Sequence, residues 1–324
     1  MTTIIPQIVN VELTNRCNLE CIFCDHKVLK ETMVLGDFDD ALLEKVLRSI
    51  CGKGVFELGL VGLGEPLLDK HFGSHLNTVS RYANEFMRIS LNTNGVALAT
   101  NHARRILESA VNLVTISLNA TNRQGYLNLM KRDYFNKIVD NIKNFLLLRR
   151  AMGKEQCNVS IQSMLCDMND EQVLYKLLDG FIDERVKLYS RHVYNKPVMD
   201  IDKPSILSIK STAIKERYPC WSMYSRVYID IEGYLYPCTM GNDCYRSSSS
   251  LCLGNVHNHT VIDLFNGAHI QSARAAAELG KVPFEECEKC TAWSLLPNNF
   301  QYIDKHWQID THTRIRLDEL DRKD

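Results

Sequence analysis

Strand-like and helix-like segments take turns over the first two thirds of this chain, and that alternation restricts the fold more than any other feature. Residues 8–13 (IVNVEL) read as a strand. Residues 39–51 (DDALLEKVLRSIC) read as a helix, with acids in its first turn, Arg48 in its last, and Gly52 and Gly54 beyond it. Strands are expected over 55–61, 87–92, 112–118, 158–164 and 185–190, separated by helices over 70–84, 101–110, 134–152 and 169–182. Six strands with helical crossovers imply a parallel sheet covered by helices, an α/β architecture. Eight such units would close a barrel, so six predict an open, partial (β/α)6 barrel. In folds of this kind the chemistry collects in loops at the C-terminal ends of the strands. Near residue 200 the pattern breaks. The stretch YNKPVMDIDKPS is non-periodic and carries proline, so it reads as a linker. The boundary falls near 200–210, giving a barrel unit over 1–205 and a smaller, cysteine-rich unit over 206–324.

Cys17, Cys21 and Cys24 occupy the loop after the first strand, as C-x3-C-x2-C in CNLECIFC. Three thiolates this close can hold three corners of a four-iron four-sulfur (4Fe–4S) cluster. No fourth cysteine is near, the next being Cys51. The usual four-cysteine shell is one ligand short, and one iron is left open. An open position on a bound metal is where chemistry happens. The bland alternative is a structural zinc site closed by His26. The place of the triad at a strand end, with Phe23 inside it, argues against zinc.

Charge and cysteine usage narrow the class. The net charge is −1, which gives no electrostatic case for nucleic acid or an anionic membrane. MTTIIPQIVNVEL lacks the basic start and long apolar core of a signal peptide, and no apolar run reaches the roughly 18 residues of a membrane span. Twelve cysteines in a chain expected to be cytoplasmic point to metal or redox chemistry, not disulfides. Ser247 to Ser250 reads as a flexible loop. Cys51, Cys157 and Cys166 fall in or beside core elements, where cysteine usually acts as a small hydrophobe.

The triad, with an aromatic residue before its last cysteine and a β/α run around it, resembles the radical S-adenosylmethionine (SAM) superfamily. In that family SAM chelates the open iron through its amino and carboxylate groups. An electron passed into the sulfonium releases a 5′-deoxyadenosyl radical, which takes hydrogen from an unactivated carbon. The resemblance implies that Gly64, Glu65 and Pro66, in the run GLGEP after the second strand, hold the amino group of SAM, and that Phe23 lies beside the cofactor. It implies further contacts from Asn94 in LNTNG after strand three. Ser117 on strand four would meet the ribose, and Gln162 on strand five would lie near the adenine. Each of these last is weak alone. Their order at successive strand ends is what carries weight.

Cys220, Gly233 and Cys238 follow C-x12-G-x4-C, and Cys287 and Cys290 form a later C-x2-C. Gly233 suits a hairpin turn between VYIDI and YLYPC. Four cysteines arriving as two pairs make a closed four-thiolate shell for zinc or an iron–sulfur cluster. The pattern, with LGNVHNHTVIDLFNG and Arg274 between its halves, resembles the SPASM or twitch extension of radical SAM enzymes. That resemblance implies a second 4Fe–4S cluster. The full SPASM pattern continues with a C-x5-C-x3-C run, and nothing like it follows Cys290, which points to the shorter twitch form. Cys244 and Cys252 remain as replacement ligands, thiol hydrogen donors or inert residues.

A fully ligated auxiliary cluster cannot bind substrate without losing a ligand, so its natural work is electron transfer. After hydrogen abstraction from a carbinol carbon, loss of a proton and an electron gives a ketone. Return of hydrogen from a thiol to the opposite face gives an epimer. The chain resembles twitch-type enzymes of aminocyclitol and aminoglycoside pathways, which include a dehydrogenase and an epimerase. The expected substrate is a sugar-like or aminocyclitol small molecule, oxidised to a ketone, with an electron donor such as flavodoxin or ferredoxin. Epimerisation is the alternative, with Cys244 or Cys252 as donor. Peptide maturation is a further one, disfavoured because only 16 residues precede Cys17 and leave no room for a leader-binding module. A non-catalytic iron–sulfur electron carrier is the reading from another class, and a carrier has no need of GEP or an incomplete triad. Arg191, His192 and Tyr194 follow the sixth strand and either face the cavity or lie in a solvated loop.

Overall fold

One sheet organises the molecule. The structure is a computed structural model and describes residues 3–24, 26–164, 171–191, 219–238, 248–288, 290, 300–303 and 306–309. The elements run β1 (Ile8–Val11), α1 (His26–Leu29), α2 (Asp40–Ile50), β2 (Glu57–Leu60), α3 (Phe72–Ser80), β3 (Arg88–Thr93), α4 (Thr100–Glu108) and β4 (Leu113–Asn119). Next come α5 (Arg123–Met130), α6 (Phe135–Ala151), β5 (Asn158–Met164), α7 (Glu171–Leu177) and β6 (Val186–Arg191). The C-terminal part holds α8 (Ser222–Ser225), β7 (Arg226–Ile229), β8 (Tyr234–Tyr236), β9 (Gly254–Asn255), α9 (Val261–Phe265), α10 (Ala268–Glu278) and a hairpin of β10 (Phe300–Ile303) with β11 (His306–Ile309).

The first six strands pair in parallel and in chain order, so the partial (β/α)6 barrel is present and open. The two faces of its sheet differ. Val9, Leu58, Ile89, Val114, Ile116, Val159, Ile161 and Leu188 are buried on one face, where the helices pack. The intervening positions carry Asn10, Glu57, Ser90, Asn92, Thr115, Ser117, Ser160 and Gln162 on the other. Parallel sheets are usually apolar on both faces. A polar face therefore marks the side that receives a ligand.

Local chemistry explains the helices. In α2, Asp39 accepts a hydrogen bond from Leu42 N (2.8 Å), Asp40 sits in the first turn, and Leu42, Leu43, Val46, Leu47 and Ile50 form the buried stripe. The expected helix over 70–84 is divided into α3 and a short 3-10 turn at Ala83–Glu85. Helix α5 was not foreseen from sequence. It is eight residues long, holds Gly125, and depends on Asn122 accepting from Gly125 N (2.8 Å) and on a left-handed Lys131 (φ 59°) at its end.

The C-terminal unit does not stand apart. Strand β7 pairs in parallel with β1, and β8 and β9 extend the same sheet to nine strands. Gly233, at φ 81°, makes the turn between β7 and β8, as its place in the sequence implied. The expected boundary near 200–210 lies outside the described residues, as do Cys166, His192, Tyr194 and Cys244.

Candidate active site

The loops after β1, β2 and β3 are fastened to one another. Glu65 N donates to Arg16 O (2.7 Å). A Cβ on Gly64 would overlap Thr14 O and Arg16 O, so only glycine lets these two backbones meet. Glu65 is buried. Its carboxylate accepts from Leu67 N (3.1 Å), Thr93 Oγ1 (2.6 Å) and Asn94 N (2.6 Å). Pro66 follows at the start of a 3-10 turn. Asn94 reaches the third loop: its Nδ2 donates to Asn18 Oδ1 (2.7 Å) and lies 4.0 Å from Cys17 Sγ. Gly95, at φ 78°, completes that turn. The structure thus brings Cys17, Gly64, Glu65, Pro66 and Asn94 together.

The triad loop is pinned from the other side by α5. Ile22 N donates to Leu129 O (2.9 Å), and Cys21 Sγ sits 3.2 Å from Met130 Sδ. Phe23 is buried in the main apolar core. His26 Nε2 lies 2.8 Å from Asn15 O, and its buried Nδ1 has no hydrogen-bond partner. Among the described residues no three His, Cys, Asp or Glu side chains converge tightly enough for a single metal ion. A four-iron cube spaces its thiolates more widely than one zinc ion with bonds of about 2.3 Å. Burial, with Glu65 and Cys24 nearby, pushes the Cys17 thiol up to about 12. Such a thiol becomes a thiolate by exchanging its proton for a metal.

Across β4, β5 and β6 a polar chain lines the sheet. Gln162 Nε2 donates to Asn119 Oδ1 (3.4 Å), and the Tyr189 hydroxyl donates to Gln162 Oε1 (2.8 Å). Ser117 pairs in register with Gln162, beside a bulge that ends at Asn119 (φ 61°). Asn119, Tyr126, Tyr189 and Glu12 were not singled out from sequence. A carboxylate on the non-apolar face of β1 was a readable signal for Glu12. The spacing of Tyr126, Leu129 and Met130 after a capping Asn122 was one for α5.

In the C-terminal unit, Cys220 lies within electrostatic reach of Cys238 and Cys290, and burial pushes it up to about 12. Cys290 N donates to Cys287 O (3.3 Å), which folds the C-x2-C pair into a turn. Cys252 is half-buried, packs with Cys220 and Cys287 around the second apolar core, and burial raises its thiol. Arg274 is buried, donates twice to Met223 O (2.9 and 2.7 Å), and lies over the Phe265 and Tyr224 rings. It supports the segment after Cys220.

Glu12 links the two units. Its Oε1 accepts from Leu63 N (2.7 Å) and Gly64 N (3.3 Å), Tyr228 of β7 hydrogen-bonds it, and Asp230 is close by. Burial pushes Glu12 and Glu65 up to about 7 and Asp230 up to about 6. Raised folded-state values mean that the native protein keeps protons which the unfolded chain releases. For Glu12 the stabilisation is complete below 4.5 and is lost as pH rises through about 7. Denaturant unfolding of the metal-free protein from about pH 5 to about pH 8 is expected to show falling stability. Glu12→Gln is expected to remove on the order of 3 kcal/mol of that fall. An unchanged slope would show that Glu12 is ionised throughout.

The Radical SAM superfamily model matches residues 11–173. The chain belongs to the radical SAM superfamily. A second match, to the SPASM iron–sulfur cluster-binding domain, covers residues 220–291. This radical SAM protein therefore uses SAM and a 4Fe–4S cluster, and its SPASM domain adds iron–sulfur. The residues assembled above fit that load. The thiols available for it are Cys17, Cys21 and Cys24 in the loop after β1 and Cys220, Cys238, Cys287 and Cys290 in the C-terminal unit.

An uncharacterized protein of Methanocaldococcus jannaschii is 32% identical over 185 residues, covering 54% of each chain. A probable GTP 3′,8-cyclase of Methanothermobacter thermautotrophicus is 27% identical over 41% of this chain and 42% of its own. The chain thus spans about half the length of these curated relatives. A GTP 3′,8-cyclase of Nautilia profundicola is 21% identical over 78% of this chain and 87% of its own. Among solved structures, BtrN in complex with AdoMet and 2-DOIA aligns at TM-score 0.59, 16% identity, over 90% of this chain and 94% of that one. SuiB of Streptococcus suis bound to precursor peptide SuiA aligns at TM-score 0.61 and 13% identity, over 89% and 70%. These two likenesses are of fold. No helix among the described residues is long and apolar enough to cross a membrane.

Proposed function

We propose that this radical SAM protein is an oxidoreductase that converts a carbinol of a sugar-like or aminocyclitol small molecule to a ketone. The observation that carries the reading is the gathering of Cys220 with Cys238 and Cys290, next to the Cys287–Cys290 turn. Four thiolates fill a cluster and leave no position for substrate, which suits electron acceptance. When bound, SAM and its cluster supply a 5′-deoxyadenosyl radical as hydrogen-atom acceptor, and the auxiliary cluster supplies a one-electron acceptor. A carbinol carbon that gives up a hydrogen atom, an electron and the hydroxyl proton becomes a carbonyl carbon.

The chain's own residues bind and orient. Glu65, fixed by Thr93 and Asn94, presents its remaining carboxylate capacity to an ammonium group. Asn94 ties that carboxylate to the cysteine loop. Gln162, held between Asn119 and Tyr189, offers amide hydrogen bonding to a base or a hydroxyl-rich substrate. The polar sheet face favours a small polar substrate, and BtrN, of like fold, is described with 2-DOIA. A flavodoxin- or ferredoxin-type donor would reduce the first cluster.

Cys252 favours a second reading. Its half-buried thiol, which burial keeps protonated, is a hydrogen donor in waiting, and a thiol that returns hydrogen makes an epimerase. The cyclases among the relatives make GTP a third substrate to try. The reconstituted enzyme, with SAM and dithionite in D2O, is therefore offered 2-DOIA and GTP separately. A ketone from 2-DOIA without deuterium at the reacting carbon is expected. Deuterium at a retained C–H, lost in Cys252→Ala or Cys244→Ala, would replace oxidation with epimerisation. Turnover of GTP alone would replace it with cyclisation.

A further inference from the structure

Away from the cysteines, His71, His75, Asp40 and Asp69 gather where α2 and α3 begin. His75 is fully buried, and its Nδ1 lies 2.7 Å from Oδ2 of the buried Asp69. A buried carboxylate oxygen needs a donor, so Nδ1 carries the proton of the neutral ring and Nε2 keeps a lone pair. That Nε2 is buried and has no hydrogen-bond partner. It stands 3.4 Å from Asp40 Oδ1. A lone pair set against a carboxylate oxygen is unfavourable until a cation lies between them. The separation suits a metal ion: ligand atoms on a tetrahedral zinc with bonds of about 2.0–2.2 Å stand about 3.3–3.6 Å apart. His71 precedes His75 by one helical turn on the same face, with ring centroids 5.9 Å apart. Its Nδ1 is 3.7 Å from the second oxygen, Asp40 Oδ2. Both carboxylates are held in place: Ser74 Oγ donates to Asp40 Oδ1 (2.8 Å), and His71 N donates to Asp69 Oδ1 (2.8 Å). The three donors do not converge tightly as they stand. His71 is the loose member, because its side chain is 54% exposed and can turn about its Cα–Cβ bond. Asp40 is part-exposed as well, which leaves an ion a way in.

We propose that His71, His75 and Asp40 bind a divalent transition-metal ion, zinc fitting best, and that Asp69 orients His75 for it. Imidazole and carboxylate donors together suit an ion of this class. A carboxylate behind a ligating histidine fixes the tautomer and raises the basicity of the ring, and Asp69 stands in that position. Asp69 is thus a positioning residue. The ion would tie the start of α2 to the start of α3, on the segment that follows Glu65. No cysteine takes part, so the site is separate from the iron–sulfur sites. A proton on Nε2 is the competing occupant, and the test decides between the two.

The test uses the iron-loaded full chain, dialysed anaerobically against micromolar zinc, with iron content checked to be equal in all samples. Wild type is expected to hold one zinc more per chain than His71→Ala or Asp40→Ala. Both side chains are part-exposed, so both variants are expected to fold. X-ray absorption at the zinc edge is expected to show nitrogen and oxygen ligands at about 2.0–2.2 Å. Asp69→Asn keeps the shape of the side chain and is expected to weaken zinc binding about 10- to 100-fold. Equal zinc in wild type and His71→Ala overturns the proposal. So does a zinc shell of sulfur at about 2.3 Å, which would place the ion on cysteines. Uptake only at millimolar zinc overturns it too, as an adventitious ion only, and leaves the proton as the occupant. An unmoved affinity in Asp69→Asn overturns the orienting role.

Discussion

Replacing Cys17, Cys21 and Cys24 together with Ala is expected to abolish SAM cleavage and to remove about half of about eight irons per chain. The loss is larger than that of any single ligand because all three thiolates go together. The groups beside Cys17 are Asn94, Glu65 and Cys24. The remaining iron is expected on the Cys220, Cys238, Cys287 and Cys290 set, of which Cys220 precedes α8 and Cys238 follows β8, on the side of the sheet beyond β1. The variant should therefore stay folded and coloured. Its iron content by chemical assay and its 5′-deoxyadenosine yield by chromatography check the expectation. SAM cleavage by the triple variant would remove the assignment of the open iron.

Glu65→Gln is expected to weaken SAM binding about ten- to hundred-fold while leaving iron content intact. A charge-assisted hydrogen bond to an ammonium contributes roughly 1.5–3 kcal/mol. The structure refines this expectation. Thr93 Oγ1, Asn94 N and Leu67 N already use three of the acceptor positions of Glu65. Glu65→Ala would orphan those donors and loosen the loop, whereas glutamine keeps the volume and removes the charge. Burial pushes Glu65 up to about 7 before any cation arrives. An ammonium prefers the ionised carboxylate, so SAM affinity should strengthen as pH rises through about 7, and that dependence should be absent from Glu65→Gln. Isothermal titration across this range measures both effects. Equal affinity in wild type and Glu65→Gln would leave GEP as a turn that only joins two loops.

The barrel was legible because its signals are local. Apolar alternation in IVNVEL, VFELGLV and NLVTISL, separated by helices with caps and charged ends, places each strand within a few residues of where it is found. The cysteine spacing and GLGEP were legible for the same reason. What stayed hidden depends on distance. Asn94 was readable as part of a turn, but its link between Glu65 and Asn18 joins three loops that are far apart in sequence. The pairing of β7 with β1 spans more than two hundred residues and turns an expected separate unit into an extension of the sheet. Helix α5 was hidden by Gly125 and its short length, although Asn122 announced its start. Tyr126 could not be read at all before α5 was in place.

The most direct measurement is anaerobic reconstitution of the wild-type protein with iron and sulfide, followed by incubation with SAM and dithionite. The account expects two four-iron clusters by Mössbauer spectroscopy and the steady appearance of 5′-deoxyadenosine and methionine. A protein that takes up zinc and no iron, or that loads both clusters and leaves SAM intact, would contradict it.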